Sequence, residues 1–293
     1  MGESITDAVR AGYGNVARQG LGSSTPGVRS IANAFGYSDE ELGSIPDEAN
    51  MGLSCGNPVA MASLREGETV VDLGSGGGLD VFLAARQVGP TGTAIGIDMT
   101  GDMVSLARAN ARKGNYQNTR FYLAEIEAMP IATASVDCVI SNCVLNLCED
   151  KDAALAEVFR ILKPGGRLAI SDIALKQPLP AQIAQELAAW TGCIGGALTL
   201  DENSEKLQRA GFDQIEMHDS NADLNVYKEA GAAACCGPAP SCCAPTPAAD
   251  DSPEPDTRFH DEMSKLLETF DVNEYAASVK IFALKPWPPA SDD

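Results

Sequence analysis

The stretch that most constrains the fold is Thr69 to Asp80, TVVDLGSGGGLD. Thr69, Val70, Val71 and Leu73 carry β-branched character and are bounded by glycine, so they read as a buried strand. Asp72-Leu73-Gly74-Ser75-Gly76-Gly77-Gly78 closes that strand, and an apolar helical pattern of Leu79, Phe82 and Leu83 follows at once. Glycines at a strand-to-helix turn allow positive φ and let a ligand lie against bare backbone. Alone, such a loop is equally an ordinary tight βα turn. The next strand, Thr93 to Asp98, decides between the two readings. It ends in an acid some twenty residues on, where nucleotide-binding sheets place a carboxylate on a ribose hydroxyl pair.

Strand and helix then alternate. The pattern predicts strands over 69–74, 93–98, 119–124, 136–142 and 167–173, with helices over 78–88, 101–113, 151–162 and 180–192. That alternation implies an α/β fold with a parallel, doubly wound sheet. Lys163-Pro164-Gly165-Gly166 reads as a helix stop and a turn into the fifth strand. A helix from Glu202 to Arg209, a strand from Phe212 to His218 and an apolar run from Ser278 to Leu284 supply a sixth and a seventh strand. Roughly fifty residues separate those last two, far more than a hairpin loop. The centre of that insertion, Gly231 to Pro255, is rich in Ala, Pro and Gly and reads as a mobile tract; Met263 to Phe270 reads as a helix. Ahead of the sheet, Ile5, Val9, Tyr13 and Val16 recur at helical spacing, Val28 to Phe35 gives a second helix, and Ser38 to Glu41 is a capping-box pattern. These helices can fold over the strand ends as a lid. The implied organisation is an N-terminal helical segment over 1–65, a core over 66–225, a Cys/Pro/Ala-rich insertion over 226–256 and a closing helix and strand over 257–293.

Composition narrows the function. The chain has 293 residues and a formal net charge of −20, which disfavours nucleic acid because phosphate contacts need Lys and Arg clusters. No apolar run approaches the eighteen or so residues of a membrane helix, and no charged-then-apolar leader opens the chain. The nine cysteines are therefore expected as thiols in a reducing cytoplasm. A monomer is the provisional expectation.

The loop spacing is D-x-G-x-G-x-G, without the lysine of a P-loop and without the placement of a dinucleotide fingerprint. It resembles the S-adenosylmethionine-dependent methyltransferases with a Rossmann-like sheet. The resemblance implies a seven-stranded, mostly parallel sheet whose last two strands form an antiparallel pair. It further implies that Asp72, Gly74, Gly76 and Gly78 pack on the amino-acid part of S-adenosylmethionine and that Asp98 holds the ribose hydroxyls. Met99 would lie against the adenine, Glu125 and Ile126 would contact its amine, and Asn142 would sit beside the methionine moiety. Outside the resemblance, these last four read as a core methionine, a solvent-facing acid with its neighbour, and a strand cap.

Three cysteines fall beyond strand ends or in the turn leading to the core: Cys55 in Cys-Gly-Asn-Pro, Cys143 in Ser-Asn-Cys-Val-Leu-Asn-Leu and Cys193 in Cys-Ile-Gly-Gly-Ala-Leu. All three can converge above the glycine loop, although each alone could be a small buried hydrophobe. Cys138, inside the fourth strand, reads as such a core residue, while Cys148 is open. The three phrases resemble the arsenite methyltransferases, over about Ile31 to Gly211. That family binds trivalent arsenic through these cysteines, so the resemblance implies arsenite and methylated arsenicals as thiol complexes, arsenic detoxification and a thiol reductant of the glutathione or thioredoxin type. Soft thiolates suit a soft, thiophilic centre. Three sulfurs leave the arsenic lone pair as the nucleophile, so no residue is expected as catalytic acid or base. The chain departs from many relatives in having no cysteine ahead of Cys55. It carries instead Cys235, Cys236, Cys242 and Cys243 in the insertion, two vicinal pairs that read as an auxiliary metalloid or metal clamp. Two other functions remain open at this point: methylation of a small organic substrate, and thiol-based sequestration without turnover.

Overall fold

Seven strands form one sheet in the computed structural model, which describes residues 5–25, 27–179, 194–226 and 271–289. The strands are β1 (Thr69–Leu73), β2 (Thr93–Asp98), β3 (Thr119–Leu123), β4 (Val136–Asn142), β5 (Leu162–Leu175), β6 (Asp213–Asp219) and β7 (Ala276–Leu284). Their spatial order is β3-β2-β1-β4-β5-β7-β6. The first five run parallel, and β7 is antiparallel to both β5 and β6. The described helices are α1 (Ile5–Arg18), α2 (Val28–Ala34), α3 (Asp39–Gly43), α4 (Pro58–Met61), α5 (Leu79–Val88), α6 (Gly101–Lys113), α7 (Lys151–Ile161) and α8 (Leu200–Ala210). None of them is long and apolar enough to cross a membrane.

The period of two along each strand builds the two layers. Val71, Leu73, Ile95, Ile97, Val139, Leu168 and Ile170 share one core with Leu155 and Val158 of α7 and Leu207 of α8. Val70, Ala94, Cys138, Ile140 and Ala169 face the other way, onto Val59 of α4, Phe82 and Leu83 of α5 and Val104 of α6. Both faces of the central strands are thus apolar, as a covered parallel sheet requires.

One local reading changes. The stretch Lys163 to Gly166 is part of β5 rather than a turn before it: Leu162 pairs with Val136, Gly165 donates its N–H to Lys285 O, and Gly166 O accepts from Lys285 N. The C-terminal strand end thus captures a segment that local sequence marks as a turn. The helix after Asn57 is a single turn from Pro58 to Met61, capped by the Asn57 side chain. The expected helices over 180–192 and Met263 to Phe270 lie outside the described residues, as does the Ala/Pro-rich tract. The capping box at Ser38 and Glu41 is formed.

Phe82 is fully buried, with ring-centroid distances of 4.6 Å to Tyr116 and 5.8 Å to Phe121. Phe82→Ala should therefore cost about 3–5 kcal/mol, read as a lower denaturant midpoint with an unchanged m-value.

Candidate functional site

Strand order reverses between β1 and β4, and in open α/β sheets that reversal opens a crevice at the strands' carboxyl ends. A cavity of about 540 Å³ occupies this place. Its floor is the glycine loop after β1 and the end of β2. Gly74 has φ 61°, and a Cβ there would collide with the Val144 side chain, so the loop can pass under the β4 turn only as bare backbone. Asp98 braces the loop: one carboxylate oxygen accepts from Gly76 N at 2.9 Å and the other from Thr100 N at 2.8 Å. Val9 and Tyr13 of α1 contribute to the upper wall. Arg10 of that helix pairs with Glu125 at 3.1 Å, and Thr6 donates its N–H to Glu149 at 3.1 Å, so α1 is tied to two sides of the mouth.

The cavity floor is acidic. None of its described lining residues is Lys, Arg or His, whereas Asp72, Asp80 and Asp98 are all buried. Burial, then the charges of Asp80 and Asp98, hold the Asp72 carboxyl well above its ordinary range. Burial pushes Asp80 up to about 6, against hydrogen bonds from Tyr37 and Asn142 that favour its charged form. Asp98 is likewise raised by burial and partly restored by its N–H donors. Burial and then Asp80 hold the Tyr37 phenol well above its usual value, so it donates, at 2.7 Å, to Asp80.

Beside this floor, Cys55 and Cys143 meet. They are 88 residues apart in sequence, their Cα atoms are 5.8 Å apart, and the structure joins their sulfurs as a disulfide where free thiols are the sequence expectation. Each residue is 4% exposed. Asn142 places them. Its Oδ1 accepts from Cys55 N at 3.0 Å, while its Nδ2 donates to Gly56 O and to Tyr37 Oη at 2.8 Å each and to Asp80 at 3.2 Å. Ser278 of β7 donates to Cys55 O at 2.6 Å. Cys143 itself has φ 57°, a costly left-handed conformation for a residue with a side chain.

The expected site residues largely assemble. Asp72, Gly74, Gly76, Asp98, Met99, Glu125, Ile126, Asn142 and Cys143 all line the cavity. Gly78 does not: with φ 100° it starts α5, and a Cβ there would press on the Phe82 ring. Glu125 is spent partly on its pair with Arg10. Cys138 is a core residue, fully buried, and its thiol is pushed up to about 12 by burial. Cys148 lines the cavity, and burial likewise pushes its thiol up to about 12. Cys193 lies outside the described residues, as do Cys235, Cys236, Cys242 and Cys243. Ile194, the neighbour of Cys193, packs in the same apolar cluster as Cys55 and Cys143.

A methyltransferase-domain family model matches residues 64–231. The chain belongs to this family. Its sheet order and antiparallel seventh strand are those of the class I methyltransferase fold. The chain is 47% identical to the arsenite methyltransferase of Halobacterium salinarum over 188 residues, covering 64% of this chain and 48% of that one. It is 33% identical to the arsenite methyltransferase of Mus musculus over 221 residues, covering 72% and 58%. Among solved structures it resembles an arsenic(III) S-adenosylmethionine methyltransferase from Chlamydomonas reinhardtii, with TM-score 0.56, 25% identity and coverage of 90% and 75%. The chain spans about half the length of the first curated relatives it matches.

Tyr37 and Asp80, whose hydrogen bond braces this cavity, are not among the residues to which the sequence points. Asp80 carries a signal, an acid in an otherwise almost wholly apolar first half of a helix. Tyr37 carries none, because its partners come from β4 and α5.

These buried acids set a pH dependence with a definite sign. Asp80 at about 6, and with it Asp172, buried on β5 outside the cavity, at about 7, bind protons more tightly folded than unfolded. Their stabilising effect is complete below their unfolded values and is lost as pH rises through the folded ones. Surface acids with lowered values, such as Glu48 and Glu157, are ionised in both states over that window. Thermal midpoints measured from about pH 5 to 8 should therefore fall.

Proposed function

We propose that the chain is an enzyme transferring methyl groups from S-adenosylmethionine to trivalent arsenic, as arsenite or methylarsenite, held by Cys55, Cys143 and Cys193. The observation that carries this reading is the meeting of Cys55 with Cys143, which lines the glycine-loop cavity. Two thiols from distant segments, placed by one carboxamide, form the beginning of a soft-ligand site. The presence of Ile194 in the same apolar cluster as both supports a third ligand from Cys193, its neighbour in sequence. The relatives named arsenite methyltransferases support the same substrate.

The cavity suits the cofactor on its own chemistry. Each Asp98 oxygen accepts one described N–H and keeps acceptor capacity for a ribose hydroxyl. The buried acids, with no lining cation among the described residues, suit a sulfonium and an ammonium. Gly74 and Gly76 offer bare backbone, Met99 and Ile126 would flank the adenine, and Glu125 would reach its amine. When bound, S-adenosylmethionine supplies the electrophilic methyl group. The chain's own work is binding and positioning: thiolates hold arsenic with its lone pair toward the cavity, and no residue is needed as acid or base. A glutathione- or thioredoxin-type reductant would keep Cys55 and Cys143 as thiols before capture and, because methyl addition to the lone pair takes As(III) to As(V), would return two electrons to arsenic between transfers. That requirement fits a cytoplasmic setting and detoxification. In this reading residues 1–65 cover the substrate side, and the cysteines at 235, 236, 242 and 243 take up arsenic and pass it inward.

Purified protein supplied with S-adenosylmethionine, a thiol reductant and arsenite should release methylarsenicals. Cys143→Ser should lower that rate at least ~100-fold while S-adenosylmethionine still binds. Equal rates for the two proteins would sink the thiol site and leave methylation of some other substrate.

A further inference from the structure

We infer that Asp172, three residues before the end of β5, is a positioning residue for the Cys143 thiol. The inference rests on the proposed role of Cys143 as an arsenic ligand. Asp172 is 3% exposed and does not line the cavity, so it touches neither the reacting groups nor the cofactor space. It acts through the turn that follows Cys143.

That turn is a single 3-10 turn, Leu145–Leu147, and its leading N–H groups need acceptors. The residues before it supply none. Asn142 is committed to Cys55, and Val144, at the cap position, makes no side-chain cap. The missing acceptor arrives from the neighbouring strand. Asp172 accepts from Asn146 N at 3.3 Å, from Asn146 Nδ2 at 2.8 Å and from Ile173 N at 2.8 Å. Asn146 Nδ2 donates further to Ile173 O at 2.7 Å. From the other side Lys151 donates to Asn146 O at 3.2 Å and Cys148 O at 3.0 Å.

The consequence falls on Cys143. Its left-handed backbone is costly and persists only if both flanks are fixed. The leading flank is fixed by the bond from Cys143 N to Ser171 O at 2.9 Å. The trailing flank is fixed by Asp172 through Asn146. With that anchor weakened, the turn relaxes and the thiol leaves the direction in which it meets Cys55. The glycine loop, braced separately by Asp98, keeps its shape.

The test uses the full reduced protein and reads arsenite affinity by equilibrium dialysis and S-adenosylmethionine affinity by calorimetry. Asp172→Asn turns a donor toward the N–H groups it must accept. Asn146→Ala removes the same anchor from the turn side. Both variants should weaken arsenite binding about tenfold or more, the size of one charged hydrogen bond, while S-adenosylmethionine affinity stays within about twofold. If Asp172→Asn does not fold, Asn146→Ala alone decides. Unchanged arsenite affinity overturns the inference, and so does parallel loss of both ligands, which would make Asp172 a general structural residue. A wild-type protein that binds no arsenite is a separate outcome: the substrate reading fails before any substitution is made, and the inference fails with it.

Discussion

The carboxamide of Asn142 is the contact on which the site depends. It stands at the last residue of β4, at the reversal of strand order, and spends its acceptor on Cys55 N and its donors on Gly56, Tyr37 and Asp80. The segment before the sheet and the sheet itself are thereby locked in one register. A half-buried amide that loses such partners leaves several polar groups unsatisfied at once, a cost of about 1–3 kcal/mol for each. Neither cysteine loop has an independent reason to lie where it does. Cys55 is held by a side chain from β4 and another from β7, and Cys143 by a strand bond and a turn anchored on β5.

The electrostatics follow from the same geometry. Closing α5 onto the start of the loop brings Asp80 beside Asp72, and the end of β2 adds Asp98. No lining cation among the described residues offsets them, so the folded chain carries repulsion that a cationic ligand would relieve. Such an arrangement costs stability near neutral pH and prepares a site, the usual trade between a comfortable fold and a useful one. The Arg10–Glu125 pair has a different character. It is exposed and worth little energetically, and its importance is the place it ties α1 to.

How much of this is legible in the sequence depends on the range of the interaction. β1, β2 and β4 can be read almost to the residue because β-branched runs and flanking glycines are local signals. The glycine loop and Asp98 are legible for the same reason, since a strand, a turn and an acid lie within one βαβ unit. The Lys163 to Gly166 segment misleads because its structure is imposed by Lys285, far along the chain. Gly78 looks like part of a ligand cradle yet serves packing on Phe82, a distinction spacing alone does not carry. Tyr37, Asn146 and Asp172 are silent in the sequence: each has meaning only through a partner from another element. The approach of Cys55 to Cys143 is legible only in part, from one cysteine after β4 and one in the turn leading to the core.

The proposed site holds arsenic on three sulfurs of this chain. X-ray absorption at the arsenic edge, on the reduced protein loaded with one equivalent of arsenite, counts those neighbours directly. Three sulfur neighbours and no oxygen, falling to two sulfurs with Cys193→Ser, is the predicted result. An arsenic bound mainly by oxygen in the wild type, or a spectrum unchanged by Cys193→Ser, would contradict it.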